Sequence, residues 1–172
     1  MPLISDDLRI AKLQEVGCST ALIKLAGGEC VHGLFRNTCL GPPFIPPNSR
    51  SPKGAPITPL WEETGRIYGL RCLPGAADFI RFSIEHPDGM EFIAATEQGL
   101  WAHRFDFFYE SDASLLDLRE AAQSVEFRFL DLYLDVKESA GDEMGTYVQH
   151  RTWLSQFIAD IDQRSMPLTI IS

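Results

Sequence analysis

Length, composition and charge exclude several classes of protein for this chain of 172 residues. We expect one domain over residues 1–172, and the 45% hydrophobic content is typical of a globular protein. No apolar run approaches the roughly 20 residues that cross a bilayer, and a net charge of −9 disfavours anionic partners. We therefore expect neither a nucleic acid nor a membrane among its partners.

The N-terminus and the cysteines predict a cytoplasmic protein with reduced thiols. The opening residues MPLISDDLR lack the basic and apolar segments of a secretory signal. The cysteines at positions 18, 30, 39 and 72 are scattered through the chain, which favours free thiols over a disulfide framework.

The first third of the chain predicts two short helices and then a loop. Ser5 can cap a helix that stops at Gly17, and Ser19 can cap a second helix that stops at Gly27. Residues 41–59 hold seven of the eleven prolines. Because proline lacks the N–H that helices and sheets use, this segment predicts an extended surface loop.

Three strand-like segments follow the loop, at residues 66–72, 79–85 and 90–95. The turns LPG and HPDG separate them, and spacers this short predict an antiparallel meander. We expect Trp61 and Ile67 to pack on its apolar face.

The last third of the chain predicts helices. Thr96, Ser114 and Thr146 each precede a helical pattern, the last of which runs to residue 163. Apolar residues recur every three or four positions over 115–136, as in one long helix or two helices in line. Residues 125–136 also alternate as a bulged strand would, and helix is favoured because leucine, glutamate, arginine and alanine dominate.

Together these elements predict an α+β fold, a small antiparallel β-meander with an N-terminal helical pair and C-terminal helices packed on one face. The expected core comprises Trp61, Ile67, Phe79, Phe82, Phe92, Leu100, Trp101, Leu118, Phe129, Leu132, Trp153 and Phe157. The last helix is expected to turn Val148, Trp153, Phe157, Ile158 and Ile161 inward.

Most of the charge lies in residues 105–145, where eleven acids face three bases for a net charge of −8. An acidic surface attracts basic proteins and speeds encounter with them. On a helix, Asp131, Asp135 and Glu138 repel one another by a few tenths of a kcal/mol per pair, which a basic partner would relieve. An apolar stripe on the same segment adds a potential docking surface. The predicted partner-binding residues are Asp117, Phe127, Leu130, Asp131, Leu134, Asp135 and Glu138.

The motifs of common enzymes are missing from the sequence. There is no G-x-S-x-G, no H-E-x-x-H and no glycine-rich phosphate loop. Cys30, His32 and Cys39 offer three soft ligands, but their spacing matches no common zinc motif, so buried thiols are favoured. The sequence therefore predicts no catalytic residue, metal or cofactor.

A small hydrolase or transferase with a carboxylate or Cys/His site is the alternative. The acids at positions 62, 63, 85, 88 and 91 are the candidate catalytic carboxylates of such an enzyme. They are better explained as solvated residues in turns. An enzyme needs a concave pocket where titratable groups converge, whereas a binding module can present a flat or convex acidic face.

One family resemblance spans residues 59–105. The segments TPLW and GRIYG, followed by FIRFSIEHPDG and FIAATEQGLWAHRF, resemble uncharacterised bacterial proteins grouped with the SUKH-like immunity proteins. The resemblance implies a small α+β domain encoded beside a polymorphic toxin. It also implies a non-enzymatic protein that binds and neutralises a basic toxin in the cytoplasm, with no catalytic residues to carry over.

Overall fold

The predicted meander is present, with one strand more than the sequence indicated. The computed structural model describes residues 6–45, 50–54 and 56–170. Its antiparallel sheet has the order β1-β2-β3-β4, and the α+β fold class is confirmed. The strands are β1 (Ile57–Glu63), β2 (Arg66–Leu73), β3 (Ala76–Ser83) and β4 (Glu91–Ala94).

Strand β1 corrects the prediction of a loop up to residue 59. It lies at the edge of the sheet, where a proline need not donate to a ladder, and its register shifts between Pro59 and Trp61. Trp61 is thus part of the sheet and not a residue packed on it. A two-residue turn joins β1 to β2, and both Thr64 and Gly65 have positive φ, as a type I′ hairpin requires.

The helices follow their predicted starts closely. They are α1 (Asp6–Glu15), α2 (Thr20–Ala26), α3 (Glu97–Glu110), α4 (Leu115–Ser124), α5 (Leu130–Ala140) and α6 (Tyr147–Gln163). The side chains of Ser19, Thr96, Ser114 and Thr146 cap α2, α3, α4 and α6 as predicted. The predicted cap Ser5 lies outside the described residues. Within the described chain, no helix has the length and apolarity needed to cross a membrane.

The ambiguous segment 115–136 forms two helices with a break between them. The N–H of Phe127 bonds the carbonyl of Ala122, and the N–H of Glu126 bonds that of Gln123. Glu126 has a φ of 56°, so this is a Schellman helix end with a glutamate where glycine is usual. Neither a continuous helix nor a bulged strand forms.

The helices pack on one face of the sheet, as predicted. Trp61, Tyr68 and Phe79 share the main core with the helices, while Ile67, Ile80 and Phe82 belong to a smaller cluster on the opposite face. In the proline-rich segment, Ile45 packs against this smaller cluster, and Ser51 is also buried.

Eight of the twelve predicted core residues are buried, and Phe129, Leu132 and Trp153 are partly buried. The prediction that Phe92 belongs to the core is wrong, because Phe92 pairs with Ile80 on the sheet face away from the helices and is 54% exposed. The prediction that Val148 turns inward is also wrong, since this residue in the first turn of α6 is 70% exposed.

Asp162 of α6 links the last helix by hydrogen bonds to the segment that connects β4 and α3. Its carboxylate accepts hydrogen bonds from the N–H of Ala95 (2.8 Å), the N–H of Thr96 (3.0 Å) and the Thr96 hydroxyl (2.6 Å). A Cβ at Gly99 would collide with this carboxylate, so the glycine allows the close approach.

We expect Asp162→Ala to lower the free energy of unfolding by about 2–4 kcal/mol, because two backbone N–H groups and a hydroxyl lose a charged acceptor. Urea unfolding measures the change. Asp160→Ala, at an exposed position of the same helix, is the control and should stay within about 0.5 kcal/mol of wild type. Equal effects of the two substitutions would contradict the role of Asp162.

Candidate functional site

The structure separates the predicted partner-binding residues. Phe127 and Leu130 are each only 5% exposed and belong to the main core, so their assignment to a docking surface is wrong. Leu134 is partly buried against the same core. The physical reason is the helix break after Ser124, which turns Phe127 and Leu130 toward the core.

The acids of the predicted set stay at the surface but form two groups. Asp131, Asp135 and Glu138 are exposed on α5; we call these three residues the acidic face. Asp117 is half-buried on α4, where its carboxylate accepts a hydrogen bond from the Ser114 hydroxyl (2.9 Å).

The acidic face has few counter-charges. Asp131 pairs with the exposed Arg119 at 2.8 Å, whereas Asp135 and Glu138 form no ion pair with the part of the chain that the structure describes. Lys137, the basic residue of α5, points inward and contacts Asp106 at 3.3 Å. The negative charge on the solvent-exposed side of α5 is therefore largely uncompensated.

A cavity of about 420 Å³ lies where α3 and α6 meet strands β1 to β3. Its volume falls within the range of small-molecule sites. Titratable groups from five elements line it, so the structure shows the concave site that the alternative function requires. Its lining side chains include Glu63, Tyr68, Arg81, His103, Arg104, Asp106, Glu110, His150 and Arg151.

Arg104 is the most buried charged group of this cavity, with 1% of its surface exposed. Its guanidinium donates to both carboxylate oxygens of Glu63 (2.7 and 2.9 Å), to the Tyr68 hydroxyl (3.0 Å) and to the Thr38 hydroxyl (2.9 Å). Burial lowers the pKa of Arg104, but the neighbouring Cys39, Tyr68 and Glu63 outweigh it and raise the pKa above its usual value. Arg104 is thus a permanent cation held by β1, β2 and a loop.

A second ion-pair network forms around Glu91, whose partners Arg81 and Arg151 line the cavity. Arg81 donates two hydrogen bonds to its carboxylate (2.7 and 3.0 Å), and Arg151 donates one (2.8 Å). Burial raises the pKa of Glu91, but these arginines outweigh it and lower the pKa overall. Glu63 and Glu91 are therefore not the solvated turn residues that the sequence predicted, whereas Glu62, Glu85 and Asp88 are exposed as predicted.

The acidic end of the cavity already holds a cation of the protein. Asp106, Glu110 and His150 stand close enough together to bind a metal ion. The Lys137 ammonium contacts all three, at 3.3 Å from both Asp106 Oδ1 and His150 Nε2. It is enclosed by the rings of Tyr109, Tyr133 and Trp153, 5.1–5.9 Å away. This cluster thus already holds a cation between its carboxylates and offers no open metal position.

The other candidate metal ligands do not converge either. Cys39 is fully buried and Cys30 is exposed, and they form no metal-binding group with His32 among the described residues. His32 does approach Asp117 and Glu120, but its Nδ1 accepts the N–H of Leu34, which leaves the hydrogen on the Nε2 that faces Glu120. That nitrogen lacks the lone pair that a metal needs.

His103 is the histidine of the cavity with the least ordinary surroundings. Its Nδ1 is buried and has no hydrogen-bond partner among the described residues. Burial, followed by the charges of Arg104, Arg81 and Arg151, lowers its pKa well below the usual value. The imidazole is therefore neutral at pH 7.

The cavity residues Tyr68, Arg81, His103 and Arg104 were not predicted from the sequence. One signal was available, because Arg104 lies three residues after Trp101 and four before Phe108, on the apolar side of the predicted helix. A charge on that side of a helix needs a buried partner. Nothing in the sequence indicates that the partner is Glu63, 41 residues earlier.

We expect Glu63→Gln to lower the free energy of unfolding by about 3 kcal/mol, because it leaves the Arg104 cation buried without its carboxylate. Glu62→Gln changes the same charge at the exposed neighbouring position and should have an effect of about 0.5 kcal/mol or less. Urea unfolding at pH 7 compares the two, and a loss of similar size in both variants would contradict the buried ion pair.

His103 should make stability depend on pH below about 6.5, the pKa of histidine in an unfolded chain. As the pH falls below that value, the unfolded state takes up a proton that the folded state refuses, so stability decreases by at most about 1.4 kcal/mol per pH unit. Above it the effect vanishes. His103→Gln should flatten the decrease between pH 6.5 and 5.5 in urea unfolding, whereas the control His86→Gln, at an exposed position, should not. Unchanged pH dependence in His103→Gln would contradict the assignment.

Comparison with known proteins gives no relative for this fold and cavity. No protein-family model, no curated protein and no solved structure matches the chain. The resemblance of residues 59–105 to SUKH-like immunity proteins therefore stays a prediction, and function has to be argued from the chain's own residues.

Proposed function

We propose that this chain is a non-enzymatic binding protein that captures a basic protein partner through the acidic face of α5. The observation that carries the proposal is the arrangement of charge on this helix. Asp131, Asp135 and Glu138 are exposed, while the lysine between them in sequence is turned into the core. A helix that exposes its anions and buries its cation presents an uncompensated negative surface.

The acidic face favours a basic partner for two physical reasons. Its carboxylates repel one another by a few tenths of a kcal/mol per pair in the free protein, and a bound cation relieves this repulsion. Uncompensated charge also steers an oppositely charged protein during diffusional encounter and raises the association rate.

The partner class comes from the family resemblance. It supports a toxin domain as the basic partner and immunity in the cytoplasm of the producing bacterium as the role. An immunity protein needs no chemistry of its own, since occluding the active surface of the toxin is sufficient.

A small hydrolase or transferase is the second candidate, and the cavity beside Arg104 is the observation that favours it. Among the described residues that line this cavity, none is a serine or a cysteine. Two of its carboxylates are held by cations, Glu63 by Arg104 and Asp106 by Lys137. The lining residues thus offer no serine, no cysteine and no unpaired Glu63 or Asp106 carboxylate, while His103 and His150 also line the cavity; we rank this function second.

The test is to neutralise the acidic face with Asp131→Asn, Asp135→Asn and Glu138→Gln in one variant. The probe is a basic toxin domain, sought first in the gene next to the one for this chain, and its association is measured by stopped flow at low and physiological salt. We expect association to slow by about tenfold at low salt and to lose most of its salt dependence, because screening acts within about 8 Å at 0.15 M.

A matched control carries Glu62→Gln, Glu85→Gln and Asp88→Asn, which change the same charge at exposed sites outside α5. This variant should associate almost like wild type, and both variants should keep the melting temperature of wild type. An unchanged association rate in the α5 variant at low salt would remove the acidic face from the interface. The next candidate would then be the proline-rich segment, with Phe44 (77% exposed), the exposed Arg50, and Ile45, which packs partly against the smaller cluster.

A further inference from the structure

The Tyr68 hydroxyl at the cavity lacks one hydrogen-bond partner, and the missing partner is an acceptor. A tyrosine hydroxyl has one O–H to donate and lone pairs to accept with. Arg81 Nη1 (3.1 Å) and Arg104 Nη1 (3.0 Å) both donate to the Tyr68 oxygen. No described residue accepts the Tyr68 proton, and the side chain lines the cavity. Two arginine donors also polarise this O–H and make it a stronger donor.

His103 provides a second donor at the same cavity. Its ring lines the cavity, and its Nδ1 is buried without a partner among the described residues. A buried N–H without an acceptor is rarer in proteins than an unfilled acceptor site. We therefore assign the hydrogen to Nε2, so that Nδ1 keeps the lone pair and Nε2–H is free to donate.

The charged groups around these two donors are already paired with each other. Glu63 is held by Arg104, and Asp106 and Glu110 are held by Lys137. The two groups free to bond a ligand at the Tyr68 end, the Tyr68 O–H and His103 Nε2–H, are both donors, and the guanidiniums of Arg81 and Arg104 touch the Tyr68 oxygen itself. This end of the cavity suits an oxyanion.

Apolar side chains complete the cavity. Phe107, Tyr147 and Leu154 line it together with the polar groups. These side chains give the cavity an apolar part beside the donors, and about 420 Å³ is enough for a small ring compound.

We propose that this cavity binds a small carboxylate with an apolar body, whose oxygens accept hydrogen bonds from the Tyr68 hydroxyl and from His103 Nε2–H. The site is lined by α3, α6 and the sheet, and none of the residues of the acidic face lines it. The inference therefore stands apart from the proposed capture of a basic protein, and either can fail without the other.

The test titrates the wild-type protein with benzoate, its neutral analogue benzamide and the cation benzylamine, followed by calorimetry and by NMR. We expect benzoate to bind at least about tenfold more tightly than either analogue, since a hydrogen bond to a charged acceptor is worth that factor. Tyr68→Phe should weaken benzoate binding by about tenfold. Tyr109→Phe, the control, removes a hydroxyl that does not line the cavity and should bind benzoate like wild type.

A second readout keeps the test decisive if Tyr68→Phe fails to fold. In ¹⁵N-labelled wild type, the His103 Nε2 resonance should be that of a protonated nitrogen. Benzoate should shift this resonance, and benzamide at the same concentration should shift it far less. Benzamide or benzylamine binding as tightly as benzoate would overturn the proposal. The absence of benzoate binding at about 20 mM would also overturn it. An unchanged His103 resonance, or equal effects of Tyr68→Phe and Tyr109→Phe on benzoate binding, would do the same.

Discussion

The arrangement of this protein depends on the buried cation of Arg104. A guanidinium in the interior is tolerated only where charged and polar partners surround it, because its desolvation costs several kcal/mol. Its partners come from β1, β2 and the loop after α2, and the side chain that they bind projects from α3. Four parts of the chain must therefore meet at one point before burial of the Arg104 guanidinium becomes favourable.

The same requirement explains why the cavity is polar. Once Glu63 is committed to Arg104, the hydroxyl of Tyr68 becomes the shared acceptor for Arg104 and Arg81, and Arg81 in turn is held by Glu91. Each pairing fixes the next side chain. The result is a cavity wall whose polar groups hardly need to reorganise when a ligand arrives, which is the condition for tight binding with few contacts.

Local features of the fold could be predicted from sequence, because their causes lie within a few residues. A capping side chain acts on an N–H three positions away, so Thr96, Ser114 and Thr146 marked their helices correctly. Strand β1 was missed because a proline such as Pro59 is compatible with an edge strand only, and edge position depends on the rest of the sheet.

The site could not be predicted because its contacts join distant parts of the chain. Phe127 and Leu130 carry the same apolar signal whether they face a partner or the core, and only the helix end at Glu126 decides between the two. The acidic face was predictable as a cluster of charge. The cavity was not, since Glu63 and Arg104 are 41 positions apart.

The inward turn of Lys137 also gives α5 an electrical direction that its sequence does not display. The inward ammonium is paired with Asp106 and Glu110, whereas the carboxylates of Asp135 and Glu138 lie on the solvent side, so the excess charge of the helix is displaced away from the centre of the protein. Charge displaced in this way experiences a torque in the field of an approaching charged molecule. The protein would thus be rotated toward a cationic surface before contact, and turned away from an anionic one.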